Sequence, residues 1–288
     1  MKSIGTEENK VRNGSRAARI GLFVSFAIVS ALALVPFWAM LVGTFQDGDM
    51  LIRHGLNLGL DPNAAHLNNY VMLFTDSGPY FRWFANSLIL TAIQVAGTLL
   101  ISSFVAYGFA MYNFKFKSVM FILVLVLMTI PFEMLMLPLY VQVNAMGMAD
   151  NYAAILLPFL AQASTIFFFR QFMIGLPQEI LEAGRVDGVT EFGIFFRLIM
   201  PLLKPAMAAM AILNGMASWN NFLWPLLVLR SPEKYTLPIG LNTLMTPYGN
   251  NYSLLIVGAF FSLIPILLLF LAFQRFFIEG MTAGAVKG

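Results

Sequence analysis

The chain has 288 residues, of which 59% are apolar and 11% charged, with a mean hydropathy of +0.78. Soluble domains carry about 25% charged residues, so an ordinary water-soluble fold is excluded. The lack of cysteine rules out disulfides, thiolate metal sites and cysteine nucleophiles, and a net charge of only +3 carries no argument for nucleic acid as a partner.

A helix crosses a hydrocarbon core with about 20 apolar residues, and six stretches qualify, near 20–43, 85–111, 118–141, 152–174, 205–229 and 253–278. They are too long and too evenly apolar to be the alternating strands of a membrane barrel. Because every backbone amide must be satisfied within lipid, the expected fold class is an all-α integral membrane protein with six transmembrane helices. Thirteen of the 17 basic residues precede the first span or fall around the second-to-third and fourth-to-fifth connections and after the sixth. Arg53, Arg82, Arg230 and Lys234 occupy the other side. Lys and Arg accumulate in cytoplasmic loops, so both termini are expected in the cytoplasm of a multi-pass protein.

In chain order, residues 1–15 are polar and are expected to form a flexible cytoplasmic tail, leaving 16–288 as a single transmembrane domain. The first span runs past Pro36, Phe37 and Trp38 without a small-residue cleavage site, so it is expected to be retained rather than removed as a signal peptide. The outward loop 44–83 has turn chemistry at Leu60-Asp61-Pro62-Asn63 and Asp76-Ser77-Gly78-Pro79. Between these turns a short surface helix is expected to rest Leu67, Tyr70, Val71 and Phe74 on the membrane or the bundle. His54 and His66 lie in this loop without a carboxylate pair and are expected to be solvated, so no metal is expected.

The third span holds Pro131, Glu133 and Pro138. A carboxylate at that depth costs about 2.5–3.5 kcal/mol on insertion scales unless it faces protein or water, so Glu133 should point inward, either into a solute pathway or to a hydrogen bond with a neighbouring helix or subunit. The fifth span contains Asn220 and Asn221, which either line a hydrated path or join helices. As neighbours on one helix they should face different directions. Trp224, near the span's end, reads as part of an interfacial aromatic belt. The second outward loop, 230–252, is rich in Pro, Gly, Asn and Tyr and suits a contact surface, centred on Thr246, Pro247, Tyr248, Gly249, Asn250 and Asn251.

The loop 175–200 is a charged, Gly-punctuated segment and carries Glu179, Glu182, Asp187 and Glu191. Pro177 suits the first position of a short helix that reaches Val186. Ile180, Leu181 and Val186 should pack against the membrane-embedded part, with Glu182 and Arg185 sharing a polar face. Asp187 would sit at the helix's negative end and require a cation. Gly188 should take a positive φ and stop the helix, and Thr190 can cap a second short helix through Phe195.

Glu182-Ala183-Gly184, then Gly188 after three residues, then Leu198-Ile199-Met200-Pro201 after nine more resemble the coupling loop of permease subunits in ATP-binding-cassette importers. The family pattern has Glu-Ala-Ala and Ile-x-Leu-Pro, so Gly184 replaces Ala, and Leu198 and Met200 replace Ile and Leu. The end, Gln274 to Gly288, resembles the tail of the second permease subunit of carbohydrate importers of the maltose type, and similarity covers nearly all of the chain from residue 20. Gly55–Pro62, Glu191–Arg197, Ser218–Pro225 and Pro247–Tyr252 look like permeases for arabinose or arabino-oligosaccharides.

The resemblance implies the type-I importer permease fold and a place in a prokaryotic cell membrane. It assigns ATPase coupling to Glu182, Ala183, Gly184, Asp187, Gly188 and Pro201, and binding-protein contact to the loop from Thr246 to Asn251. It implies a second permease subunit as heterodimer partner, two ATPase subunits that bind ATP and Mg, and an extracytoplasmic sugar-binding protein. The chain has no Gly-x-x-x-x-Gly-Lys-Ser/Thr phosphate loop and is not expected to be an enzyme or to hold a cofactor of its own. The alternative, a self-contained secondary transporter or channel, should show an inverted repeat and paired intramembrane charges. No repeat is found, and Glu133 stands alone within the spans.

Overall fold

The computed structural model describes residues 4–49, 55, 58–75, 78–246 and 249–285. Helix α1 (Ile4–Gly43) runs back into the segment expected to be a flexible tail. Then come α2 (Asn68–Thr75), α3 (Tyr80–Met111), α4 (Lys117–Thr129), α5 (Phe132–Ala145), α6 (Tyr152–Leu156) with a 3-10 turn to Phe159, and α7 (Ala163–Ile174). The remainder is α8 (Glu179–Val186), α9 (Glu191–Gly193), a π-helical stretch Ile194–Ile199, α10 (Met200–Leu202), α11 (Lys204–Trp219), α12 (Leu223–Val228), α13 (Leu237–Thr243), strands β1 (Met245–Thr246) and β2 (Gly249–Asn250), and α14 (Tyr252–Ala285).

Ala18–Gly43, Tyr80–Met111, Tyr152–Ile174 and Tyr252–Arg275 are long and apolar enough to cross a membrane, and two further pairs bring the number to six if each counts as one span. These pairs are sharply bent, by 104° between α4 and α5 and by 77° between Glu191–Leu202 and α11. The third span is therefore broken next to Pro131. Ile130 is extended (φ −84°, ψ 118°) because the ring of Pro131 disfavours helical dihedrals in the residue before it. The fifth span expected over 205–229 is broken too: α11 ends at Trp219 and α12 starts only at Leu223.

The chain divides into two compact units, residues 1–76 with 247–260 and residues 77–246 with 261–288. In the first unit, buried Asn69 donates from Nδ2 to the carbonyls of Thr44 (2.9 Å) and Gln46 (2.8 Å), which ties α2 to the turn that ends α1. His66 Nε2 and Asp47 Oδ1 are 2.9 Å apart, so this histidine has a partner where a solvated one was expected. The bundle-facing side of α2 is not the apolar one. Asn69 and Leu73 are buried, while Leu67, Val71 and Phe74 are exposed, because the need to satisfy the Thr44 and Gln46 carbonyls turns the polar Asn69 inward.

The second unit is built around α3, which packs on α7 and α11. Tyr107, Phe109, Phe169, Met173, Ile194, Phe195 and Ile199 form one buried cluster, and Leu90, Ile155, Trp224, Val228 and Ile239 form another. Trp224 is not a belt residue. It is fully buried, its Nε1 donates to the Ala154 carbonyl at 3.0 Å, and its ring lies edge-on to Phe132 and Phe159 with centroids 6.0 and 6.2 Å away. A buried indole needs one acceptor, and α6 supplies it. Trp224→Ala should lower the stability of the detergent-solubilised chain by about 3–5 kcal/mol, whereas Trp224→Phe should cost about 1 kcal/mol through the lost hydrogen bond. Thermal unfolding followed by circular dichroism would separate the two.

Candidate functional site

Two features of the second unit gather the residues singled out by sequence: the bent loop 175–202 and a polar cavity. In the loop, Gln178 already has helical dihedrals (φ −69°, ψ −22°), so Pro177 lies ahead of the cap rather than at the first helical position. Leu181 and Gly184 are the buried positions of α8. A Cβ at residue 184 would stand 2.9 Å from Leu198 Cδ1 and 3.1 Å from Ile194 Cγ1, so glycine lets α8 lie closer to the π-helical stretch than the alanine of the family pattern would. Val186, expected to pack inward, is 87% exposed, because the side chains four and five residues before it, Glu182 and Leu181, already place it on the solvent side of the helix.

Gly188 has φ +72°, the left-handed conformation expected of it, with nothing within 4 Å of the position a Cβ would take. Its requirement is thus one of backbone strain, not of space. Thr190 caps the next turn by accepting the Gly193 N–H at 3.2 Å. Arg185 turns away from Glu182 and pairs with Glu191, its Nε donating to Oε1 at 2.8 Å and its Nη2 to Oε2 at 3.4 Å. The Tyr112 hydroxyl donates to the same carboxylate. Burial and that hydrogen bond raise the Tyr112 pKa above its ordinary value, which keeps its proton available for donation. Asp187 is exposed and makes no ion pair among the described residues, so the cation expected to hold it is not supplied there. Glu182, Ala183 and Pro201 are exposed as well.

The cavity has a volume of about 390 Å³ and is lined by Glu133, Asn220 and Asn221 together with Ser87, Thr91, Gln94, Gln162, Asn214, Ser218 and Thr236, and by the rings of Phe132, Phe159 and Phe222. Glu133 therefore faces open space. Asn220 and Asn221 both line the cavity, contrary to the rule for neighbours on a helix, because α11 ends at Trp219 and Asn220 is the residue that caps it (φ −89°, ψ 3°). The sequence reasoning missed the wall provided by α3. Its signal was present as Ser87, Thr91, Gln94, Thr98 and Ser102, a polar stripe at helical spacing in an apolar span. Gln94 Nε2 donates to Thr98 Oγ1 and Thr98 Oγ1 to the Phe159 carbonyl, both at 2.9 Å. Thr236 Oγ1 is buried and has no hydrogen-bond partner among the described residues.

Residues 98–282 match the family of binding-protein-dependent transport system inner membrane components. The chain belongs to that family. An arabinooligosaccharides transport system permease protein, AraQ of Bacillus subtilis, is 48% identical over 94% of this chain and 96% of its own length. The lactose transport system permease protein LacG of Rhizobium radiobacter is 33% identical over 93% and 97%. A solved bacterial ABC transporter involved in import of the acidic polysaccharide alginate has a chain that superposes with a TM-score of 0.77 at 22% identity, covering 92% of this chain and 98% of that one. This likeness supports the importer permease fold. As a transport-system inner membrane component, the chain is a membrane protein whose polar cavity and bent loop are its two candidate functional features.

A clamp that the sequence did not reveal joins the turn before α6 of this permease to the segment after α12. Asp150, in the turn before α6 with φ +57°, accepts from Ser231 Oγ (2.6 Å), from the Arg230 and Ser231 amides (2.9 and 3.1 Å), and from Lys234 Nζ (2.9 Å). Chiefly the Ser231 hydroxyl, then the Arg230 amide and Lys234, hold this carboxyl well below the usual carboxylate range. A depressed pKa stabilises the folded state above the unfolded value of about 3.9, and the contribution is lost as pH falls through the folded value. Limited proteolysis of the 228–236 segment should thus be slow and unchanged from neutral pH down to about 4. Asp150→Ala should speed it at neutral pH.

Proposed function

We propose that this permease subunit forms half of the route by which a sugar enters a prokaryotic cell, with ATP bound and hydrolysed by partner subunits. The polar cavity is the solute path. Carboxylate and amide groups of Glu133, Asn220 and Asn221 can receive and donate the hydrogen bonds that sugar hydroxyls need, the unpartnered Thr236 hydroxyl adds another, and Phe132, Phe159 and Phe222 offer apolar faces to a sugar ring. Relatives named as arabino-oligosaccharide permeases favour such an oligosaccharide as the solute.

The observation that carries the coupling assignment is the two-sidedness of α8. Leu181 and Gly184 are packed against Ile194 and Leu198, while Glu182, Ala183 and Asp187 face water on a helix too short to be stable alone. Such a helix presents a rigid charged face, and we assign it to an ATPase subunit on the cytoplasmic side, where the basic residues place both chain termini. Asp187, without a cation of its own, is suited to one on that partner. A second permease subunit completes the path, and the 230–252 loop meets a sugar-loaded binding protein on the far side.

In the complete transporter, Glu182→Ala or Gly188→Arg should lower sugar uptake about tenfold, a coupling loss within the usual range for linked sites, with the amount of chain in the membrane unchanged. Gly188→Arg acts through the left-handed backbone, since its side chain meets open space. Normal uptake in both variants would make the loop a mere connector.

On the far side, Thr246 lies in β1 and Gly249 and Asn250 in β2, while Pro247 and Tyr248 lie outside the described residues. Asn251 accepts the Leu254 N–H at 2.9 Å and so caps α14. A Gly/Ser linker replacing residues 246–250 but keeping Asn251 spares that cap while removing the shaped surface. The expected result is loss of binding-protein-stimulated ATP hydrolysis with basal hydrolysis retained, measured on the reconstituted complex. Full stimulation would place the docking surface elsewhere.

A further inference from the structure

Helix α8 is joined to the rest of its unit by apolar packing on one side and by a single polar junction on the other. Glu191 is the centre of that junction. It accepts two hydrogen bonds from Arg185 in the last turn of α8 and one from Tyr112, the residue that caps the end of α3. Tyr112 is itself held in place: its hydroxyl is 3.3 Å from that of Tyr107, Lys117 Nζ donates to its carbonyl at 2.7 Å, and the Arg185 guanidinium lies 5.8 Å from its ring centroid. Just beyond Glu191 the ring of Phe192 stacks on Phe104 of α3 at 5.7 Å, and Phe195 meets the same ring edge-on at 5.1 Å.

The other part of α3 forms a wall of the cavity through Ser87, Thr91 and Gln94. Helix α3 runs without a break from Tyr80 to Met111 and holds no proline, so it can move as one element. From Gln94 to Tyr112 it spans about 27 Å at 1.5 Å per residue.

We propose that Glu191, with Arg185 and Tyr112, is a positioning site that conveys displacement of α8 to α3 and thereby to the cavity wall. The inference rests on the reading of α8 as the element that docks on the ATPase subunit. Apolar contacts such as those of Leu181 can slide, whereas charge-assisted hydrogen bonds are directional and stronger than neutral ones. The two-point grip of Arg185 on Glu191 depends on the planar guanidinium, which lysine cannot reproduce. The carboxylate therefore makes the end of α3 follow the last turn of α8.

The test uses the complete transporter with its partner subunits and binding protein, reconstituted in lipid vesicles, and reads sugar imported per ATP hydrolysed. Each variant also carries Ala183→Cys for crosslinking to the ATPase subunit, which is unambiguous in this subunit because it has no cysteine. Glu191→Gln, Tyr112→Phe and Arg185→Lys should each keep the crosslink and continue to hydrolyse ATP, while the transport ratio falls about fivefold. Should Glu191→Gln fail to assemble, Tyr112→Phe decides, since it removes one hydroxyl and leaves the ring contacts in place. An unchanged ratio in Tyr112→Phe and in any assembled Glu191→Gln transporter overturns the proposal while leaving docking intact. Absence of the crosslink with Ala183→Cys alone overturns the docking reading, and the proposal falls with it.

Discussion

A backbone amide or carbonyl inside hydrocarbon must find a partner, so a spanning chain can leave the helix only where protein or a water-filled cavity receives the freed groups. Three departures from helix in the second unit meet this condition at one place. The break between α4 and α5 delivers Phe132 and Glu133, the 3-10 turn before α7 delivers Phe159 and Gln162, and the gap between α11 and α12 delivers Asn220, Asn221 and Phe222, all to the same cavity. At least one freed group is received by a side chain, the Phe159 carbonyl by Thr98. The cavity and the broken spans are one feature, since each break requires polar surroundings and together the breaks create them.

The same constraint explains why Trp224 belongs to the core. The short helix α12 is anchored by the indole bond to the Ala154 carbonyl and by Asp150, whose amide donates to the Val228 carbonyl at 2.8 Å. Asp150 also binds the segment that follows α12. These contacts hold the turn carrying Thr236 against the cavity without a continuous helix beneath it.

At the other end of α3, the loop 175–202 reverses the chain through glycines with different duties. Gly184 permits close approach of α8 to Ile194 and Leu198, and Gly188 supplies the left-handed turn. The π-helical stretch that follows places Ile194, Phe195 and Ile199 in the core while leaving Phe192 and Phe196 exposed. The loop is thus an outgrowth of the core rather than a connector laid on its surface.

Sequence alone determined the class of the molecule, because apolar length is a local property that hydrocarbon thickness turns directly into spans. It also determined the loop's register, because a positive φ at Gly188 and a cap at Thr190 depend on neighbours only a few residues away. It could not determine that Asn69 of α2 turns inward, that Trp224 leaves the interface for the core, or that Asn220 and Asn221 both line the cavity. The first two depend on hydrogen-bond partners far along the chain, the Thr44 and Gln46 carbonyls for Asn69 and the Ala154 carbonyl for Trp224, and the third on where α11 stops. Nor could it show that Arg185 would choose Glu191 over Glu182, a choice made by Tyr112, whose hydroxyl reaches the carboxylate only after α3 has brought it across 79 residues of chain.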